Sequence, residues 1–112
     1  MPKYDQAQFS LDVNDVDDVE LIEMFLEELP NRIETLNTAA LAGDFAQMNR
    51  LAHQLKGAAP GFGFDPIGTS AAILETRLKT SNLEMVELDQ VQEEFDSLIS
   101  ECESYLKYIQ ND

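Results

Sequence analysis

Apolar residues recur every three or four positions from Val19 onward, the spacing of one face of an α-helix. Ile22, Phe25 with Leu26, Leu29, Ile33, Leu36 and Ala40 form the first stripe. Pro30 lies inside it. An interior proline costs a helix about 3 kcal/mol, yet the stripe keeps its phase, so the pattern predicts one kinked helix or two nearly coaxial pieces. Gly43-Asp44 reads as a stop followed at once by a start, glycine for the left-handed position and aspartate for the next N-cap. So short a connection predicts an antiparallel second helix, with Phe45, Met48, Ala52, Leu55, Ala59 and Phe62 as its stripe.

Gly61 and Gly63 mark a bend. Asp65-Pro66 then reads as an N-cap and a first helical residue, leading into Ile67, Ala71, Leu74 and Leu78. Thr80-Ser81-Asn82 ends that helix, and Ser81 with Glu84 has capping-box spacing for the next. Leu88, Val91, Phe95, Leu98, Cys102, Tyr105 and Ile109 complete a bundle seam in alternating steps of three and four. No strand pattern or internal repeat competes. The fold class expected is all-α, an antiparallel up-down four-helix bundle over residues 17–112. Residues 1–16 form an arm or short extra helix in which Phe9 and Leu11 can pack on the bundle, and Asn14-Asp15-Val16-Asp17-Asp18 offers the caps for a helix start.

A chain of 112 residues with 44% hydrophobic content can bury a core without staples. Its 7 basic and 22 acidic residues leave a net charge of −15, which argues against nucleic acid and anionic membranes as partners, because neutralising phosphates requires lysine and arginine. The lone Cys102 falls on a core stripe and fits a reducing compartment. No apolar run has the length of a membrane span, and the polar stretch from Met1 to Gln8 has no signal-peptide core. A cytoplasmic, monomeric domain is expected, and Met1 without a flanking linker favours a stand-alone protein.

Chemistry is sparse. There is no phosphate-binding glycine loop and no cysteine–histidine cluster, so no metal site of its own is expected. No carboxylate interrupts a core stripe, so none is expected to be buried. The one histidine, His53, lies off the stripe of Ala52 and Leu55 and shares its face with Ala46, Asn49, Arg50, Lys56 and Gly57. Lys56 and Gly57, three and four residues on, are its surface neighbours. A helical glycine costs roughly 1 kcal/mol against alanine, but here it clears the space beside the imidazole. Lys56 places a positive charge where an anion on His53 would sit. Neutral imidazole is a good nucleophile, and a side chain of this type is available in that form near pH 7. An uncommitted surface histidine fits the same spacing.

The stretch Ala52-His53-Gln54-Leu55-Lys56-Gly57-Ala58-Ala59-Pro60-Gly61-Phe62-Gly63 resembles the histidine phosphotransfer (HPt) family, whose motif has histidine, lysine three later, and glycine four and ten later. The resemblance covers about 95 residues and extends to Leu74-Glu75. It implies that His53 Nε2 takes a phosphoryl group from a receiver-domain aspartate and passes it to another. Lys56 would stabilise the phosphoryl oxygens, Gly57 would admit the partner, and Glu75 would orient the imidazole through Nδ1. Arg50, Gln54 and Gly63 would serve partner binding, Gly63 by shaping the turn that closes the motif. Pro60 departs from the family pattern and is expected to end or bend the His53 helix early.

Response-regulator receiver domains and a hybrid sensor kinase are the partners implied. The chain would bring no cofactor, and Mg²⁺ would come with the receiver. Arg50, Lys56, Arg77 and Lys79 would form a local basic patch facing an acidic receiver pocket. Two neighbouring readings share the fold: the phosphoacceptor domain of a chemotaxis-type kinase, and an adaptor that binds receivers without transfer. A dimerising kinase helix pair is disfavoured, because Gln54-Leu55-Lys56-Gly57 lacks the acidic residue and proline expected after such a histidine. A zinc or haem role ranks lowest, since no second soft ligand lies at helical spacing from His53.

Overall fold

Asp15 opens the first helix by accepting hydrogen bonds from the backbone amides of Asp17 and Asp18, whose own charges suit the helix N-terminus. In the computed structural model, which describes residues 3–81 and 87–109, this helix (α1, Val16–Ala42) runs through Pro30 as one element. Pro30 is exposed, so its ring stands in solvent while the stripe stays in phase, and the carbonyl left without its helical amide is that of Leu26. Gly43, at φ 66°, ends α1, and the amides of Gly43 and Asp44 return to the Ala39 and Ala40 carbonyls. Asp44 then caps α2 (Phe45–Ala58) through the Gln47 amide, as expected.

Pro60 has no amide to give the Lys56 carbonyl, and α2 ends two residues earlier. A 3₁₀ turn (Pro60–Phe62) and Gly63 at φ 94° lead into α3 (Asp65–Lys79). This start differs by one residue from the expectation: Phe64 occupies the cap position, and Asp65 is the first helical residue. The Asp65 carboxylate accepts from the Ser10 hydroxyl (3.2 Å) instead of capping the helix.

The Ser81–Glu84 capping box falls outside the described residues. The final seam is shorter as a helix than its spacing implied. Leu88 belongs to a 3₁₀ turn (Leu88–Gln90), α4 spans Gln92–Glu103, and a second 3₁₀ turn covers Leu106–Tyr108. Val91, Phe95, Leu98, Cys102 and Tyr105 are nevertheless all buried, because tightened turns at both ends keep the apolar side inward. Ile109 lies beyond the helix and is partly exposed.

Each helix packs on its sequence neighbour, and α4 closes back on α1, giving an all-α four-helix bundle. The stripes of α1, α2 and α3 are buried as their spacing predicts, apart from Phe62, which is only partly covered. The N-terminal segment is part of the packing. Phe9 meets Phe64, Tyr105 and Tyr108 with ring centroids 5.3–5.4 Å apart. The Tyr105 hydroxyl donates to the Gln8 carbonyl (2.7 Å), and the Ser10 amide to the Gly63 carbonyl (3.0 Å). Tyr4 and Val13 are buried too, although the irregular spacing there gave no sign of it. No helix among the described residues is long and apolar enough to cross a membrane.

Candidate functional site

Ala52 and Leu55 point into the core, so His53, rotated about 100° from Ala52, emerges at the rim where α2 meets α3. Its side chain is 64% exposed. Leu74 and Leu78 fill the core from α3, and Glu75 projects from the same helix towards α2 with a side chain only 4% exposed. One Glu75 oxygen, Oε2, lies 2.6 Å from His53 Nδ1. The other, Oε1, lies 2.7 Å from Lys56 Nζ, and Lys79 Nζ stands 3.5 Å from Oε2. One buried carboxylate thus gathers three nitrogens from two helices, through an i,i+3 pair on α2 and an i,i+4 pair on α3.

The expectation that no carboxylate is buried is overturned here. Ala71, Glu75 and Leu78 are spaced four and three apart, the steps of a core position, so the signal was present in the chain. Burial alone would favour a neutral acid. The Lys56 ammonium outweighs that cost, with the His53 bond and the charges of Lys56 and Lys79 adding to it, and holds the Glu75 carboxyl at about 2, below its usual 4.5. Glu75 is therefore a carboxylate at neutral pH and can only accept. It follows that Nδ1 carries the proton in the 2.6 Å bond, and that neutral His53 keeps its lone pair on Nε2. The site holds a nucleophilic nitrogen in a fixed tautomer on an exposed ring.

The remaining residues divide. A Cβ at Gly57 would meet nothing within 4 Å, so the helix surface one turn beyond His53 is bare. Gln54 is exposed and lines a shallow groove with Leu51 of α2 and Arg32 and Asn31 of α1. Arg50 is exposed and bonds the Gln47 side chain rather than the Glu75 cluster. Gly63 is buried, and a Cβ there would come within 3.0 Å of the Leu11 side chain, so it shapes the bundle end and presents no surface. The expected basic patch is largely committed: Lys56 and Lys79 turn to Glu75, and Arg77 Nε points to Glu94 of α4 at 4.0 Å. Lys79, which the sequence placed only within a diffuse patch, is the third nitrogen at Glu75, and its i,i+4 spacing marks the pair. Among the described residues, no group of three or more histidine, cysteine, aspartate or glutamate side chains is arranged to hold a metal ion.

Comparison with known proteins adds the family. No curated protein and no solved structure gives a significant match. The family model described as Hpt domain matches residues 20–104, from the first turns of α1 to the end of α4, with His53, Lys56, Gly57 and Glu75 inside the matched span. The chain belongs to the Hpt domain family, the phosphotransfer modules of phosphorelays.

Proposed function

We propose that this chain carries a phosphoryl group on His53 Nε2, received from a receiver-domain aspartate and passed to the aspartate of a second receiver. The observation that supports this most is the bond between the Glu75 carboxylate and His53 Nδ1, which leaves Nε2 as the nucleophile on an imidazole open to a partner. In the forward step the Nε2 lone pair forms the N–P bond while the aspartyl O–P bond breaks, its electron pair returning to the aspartate carboxylate. The Nδ1 proton stays in its bond to Glu75, which offsets the positive charge that develops on the ring. The return step reverses these bonds.

Phosphoryl transfer needs positioning and charge compensation more than covalent help. The receiver brings its acidic pocket and Mg²⁺. This chain brings the nucleophile, the nearby Lys56, and the open helix surface at Gly57 against which the receiver pocket closes, with Arg50 and Gln54 at its margin. A hybrid sensor kinase and a response regulator would supply the two receivers, in the cytoplasm, to a monomer.

The test is incubation of a Mg²⁺-loaded, phosphorylated receiver domain with the wild-type chain and with His53→Gln. Acid-labile, base-stable label on the wild type alone is the expected result. Label from an ATP-bound kinase domain but from no receiver would move the assignment to a kinase phosphoacceptor domain. Receiver binding without label would make the chain an adaptor.

A further inference from the structure

Glu75 has one more lysine than its charge requires. Lys56 Nζ makes a close bond to Oε1 at 2.7 Å, whereas Lys79 Nζ stands off at 3.5 Å from Oε2. Lys56 is three residues from His53 on α2 and 39% exposed, so its chain can reach either Glu75 beneath it or a group attached to the imidazole above it. In the resting arrangement it is bound to Glu75. If it left, a carboxylate with a 4% exposed side chain would lose its closest counter-charge, and an uncompensated buried charge is strongly unfavourable.

Lys79 resolves that conflict. It is 61% exposed, it sits one turn beyond Glu75 on α3, and it needs to move less than 1 Å closer to reach the 2.7–2.9 Å of a charge-assisted bond. We propose that Lys79 is a positioning residue that frees Lys56. When His53 Nε2 carries a phosphoryl group, Lys56 moves from Glu75 Oε1 to the phosphoryl oxygens, and Lys79 closes on Glu75. The carboxylate keeps both a cation and the Nδ1–H bond throughout. No proton leaves the site, and the only covalent change is the N–P bond already described. This inference rests on the phosphocarrier reading and adds to it a partner exchange between two lysines.

The experiment is chemical phosphorylation of the full chain with phosphoramidate, a small-molecule donor that needs no receiver, followed by ³¹P NMR and the rate of phosphohistidine loss. Wild type, Lys79→Met, Lys79→Arg, Lys56→Met and the double Lys56→Met/Lys79→Met variant are compared. Lys79→Met is expected to shorten the phosphohistidine lifetime roughly three- to tenfold, the scale of one partly exposed charge-assisted bond, and to move the ³¹P resonance towards that of Lys56→Met. Lys79→Arg restores both, and once Lys56 is methionine Lys79→Met has a much smaller further effect on lifetime and ³¹P shift, because no Lys56 remains to be freed. A merely structural Lys79 would give effects that add to those of Lys56→Met. Additive effects, or an unchanged or lengthened lifetime in Lys79→Met, overturn the exchange while a labelled wild type leaves the carrier reading standing. A wild type that takes no label overturns the carrier reading, and the exchange with it.

Discussion

His53 Nδ1 and Glu75 Oε2 stand 2.6 Å apart across the α2–α3 packing, an exposed imidazole tied to a carboxylate that water barely reaches. The asymmetry matters. A buried acceptor is held by its helix and its lysines, so the bond fixes the ring rather than the ring steering the acid. The side of the imidazole that faces solvent is left with the reactive nitrogen.

Replacing Glu75 by glutamine keeps the size and an acceptor oxygen but removes the charge that offsets the phosphoimidazolium. Glu75→Gln is expected to slow transfer from a phosphorylated receiver about tenfold, the worth of one charge-assisted hydrogen bond. Receiver affinity is expected to stay near that of the wild type, because Glu75 is buried beneath the surface a partner would touch. Rapid-quench kinetics separates the two. Equal transfer rates for both proteins would remove Glu75 from the mechanism.

The same carboxylate sets a pH window. Its folded-state value is lowered from 4.5 to about 2, with the Lys56 hydrogen bond as the largest cause. A lowered value means that the stabilisation is fully present above pH 4.5 and is lost as pH falls towards 2. Urea midpoints measured across this range are expected to fall more steeply for the wild type than for Glu75→Gln. Other acidic residues contribute to both curves and cancel in the difference. Parallel curves would mean that Glu75 is not held ionised in the fold.

Three glycines should respond in opposite ways to alanine. A Cβ at Gly57 meets open space in a helical backbone, so Gly57→Ala is expected to stabilise the chain by up to about 1 kcal/mol while slowing transfer by crowding the partner. At Gly68 a Cβ would lie 2.7 Å from Pro60 Cγ, and a proline ring cannot swing aside. At Gly63 the backbone is left-handed and Leu11 stands at 3.0 Å. Gly68→Ala and Gly63→Ala are each expected to cost about 1–3 kcal/mol. Thermal melts paired with transfer assays test this, and a Gly57→Ala variant that is both more stable and fully active would deny that the space serves a partner.

Much of this architecture was legible because three- and four-residue spacing is a direct image of a buried helical face. The α1 stripe survives Pro30 for that reason, and Gly43-Asp44 is readable because each residue type satisfies one half of a helix–helix connection. His53, Lys56 and Gly57 were legible as surface neighbours. Two things were not. Glu75 was named through the resemblance, but its burial went unread, because the four-and-three spacing that marks a core position carries a polar side chain there. What makes its burial tolerable, the convergence of His53, Lys56 and Lys79, exists only once α2 and α3 are packed. The burial of Tyr4 and Val13 has no periodic signature, because their segment gains its contacts from α1, from the far end of the chain and from Gly63.

That segment yields the last prediction. Phe9 lies between Phe64, Tyr105 and Tyr108, and Tyr105 follows Cys102 by three residues at the end of α4. Burial, reinforced by Glu101 and Glu103, pushes the Cys102 thiol up to about 12, so the folded protein offers a thiol reagent almost no thiolate. Labelling then requires opening, and its rate follows the free energy of that opening. Phe9→Ala is expected to cost about 3 kcal/mol and to raise the Cys102 labelling rate about a hundredfold when opening is global. His53 should still accept phosphate from phosphoramidate, since none of the Phe9 contacts touches the Glu75 cluster. Slow labelling of Cys102 in both proteins, measured below the unfolding transition, would mean that the bundle end stays closed without Phe9 and that the N-terminal segment is dispensable to the core.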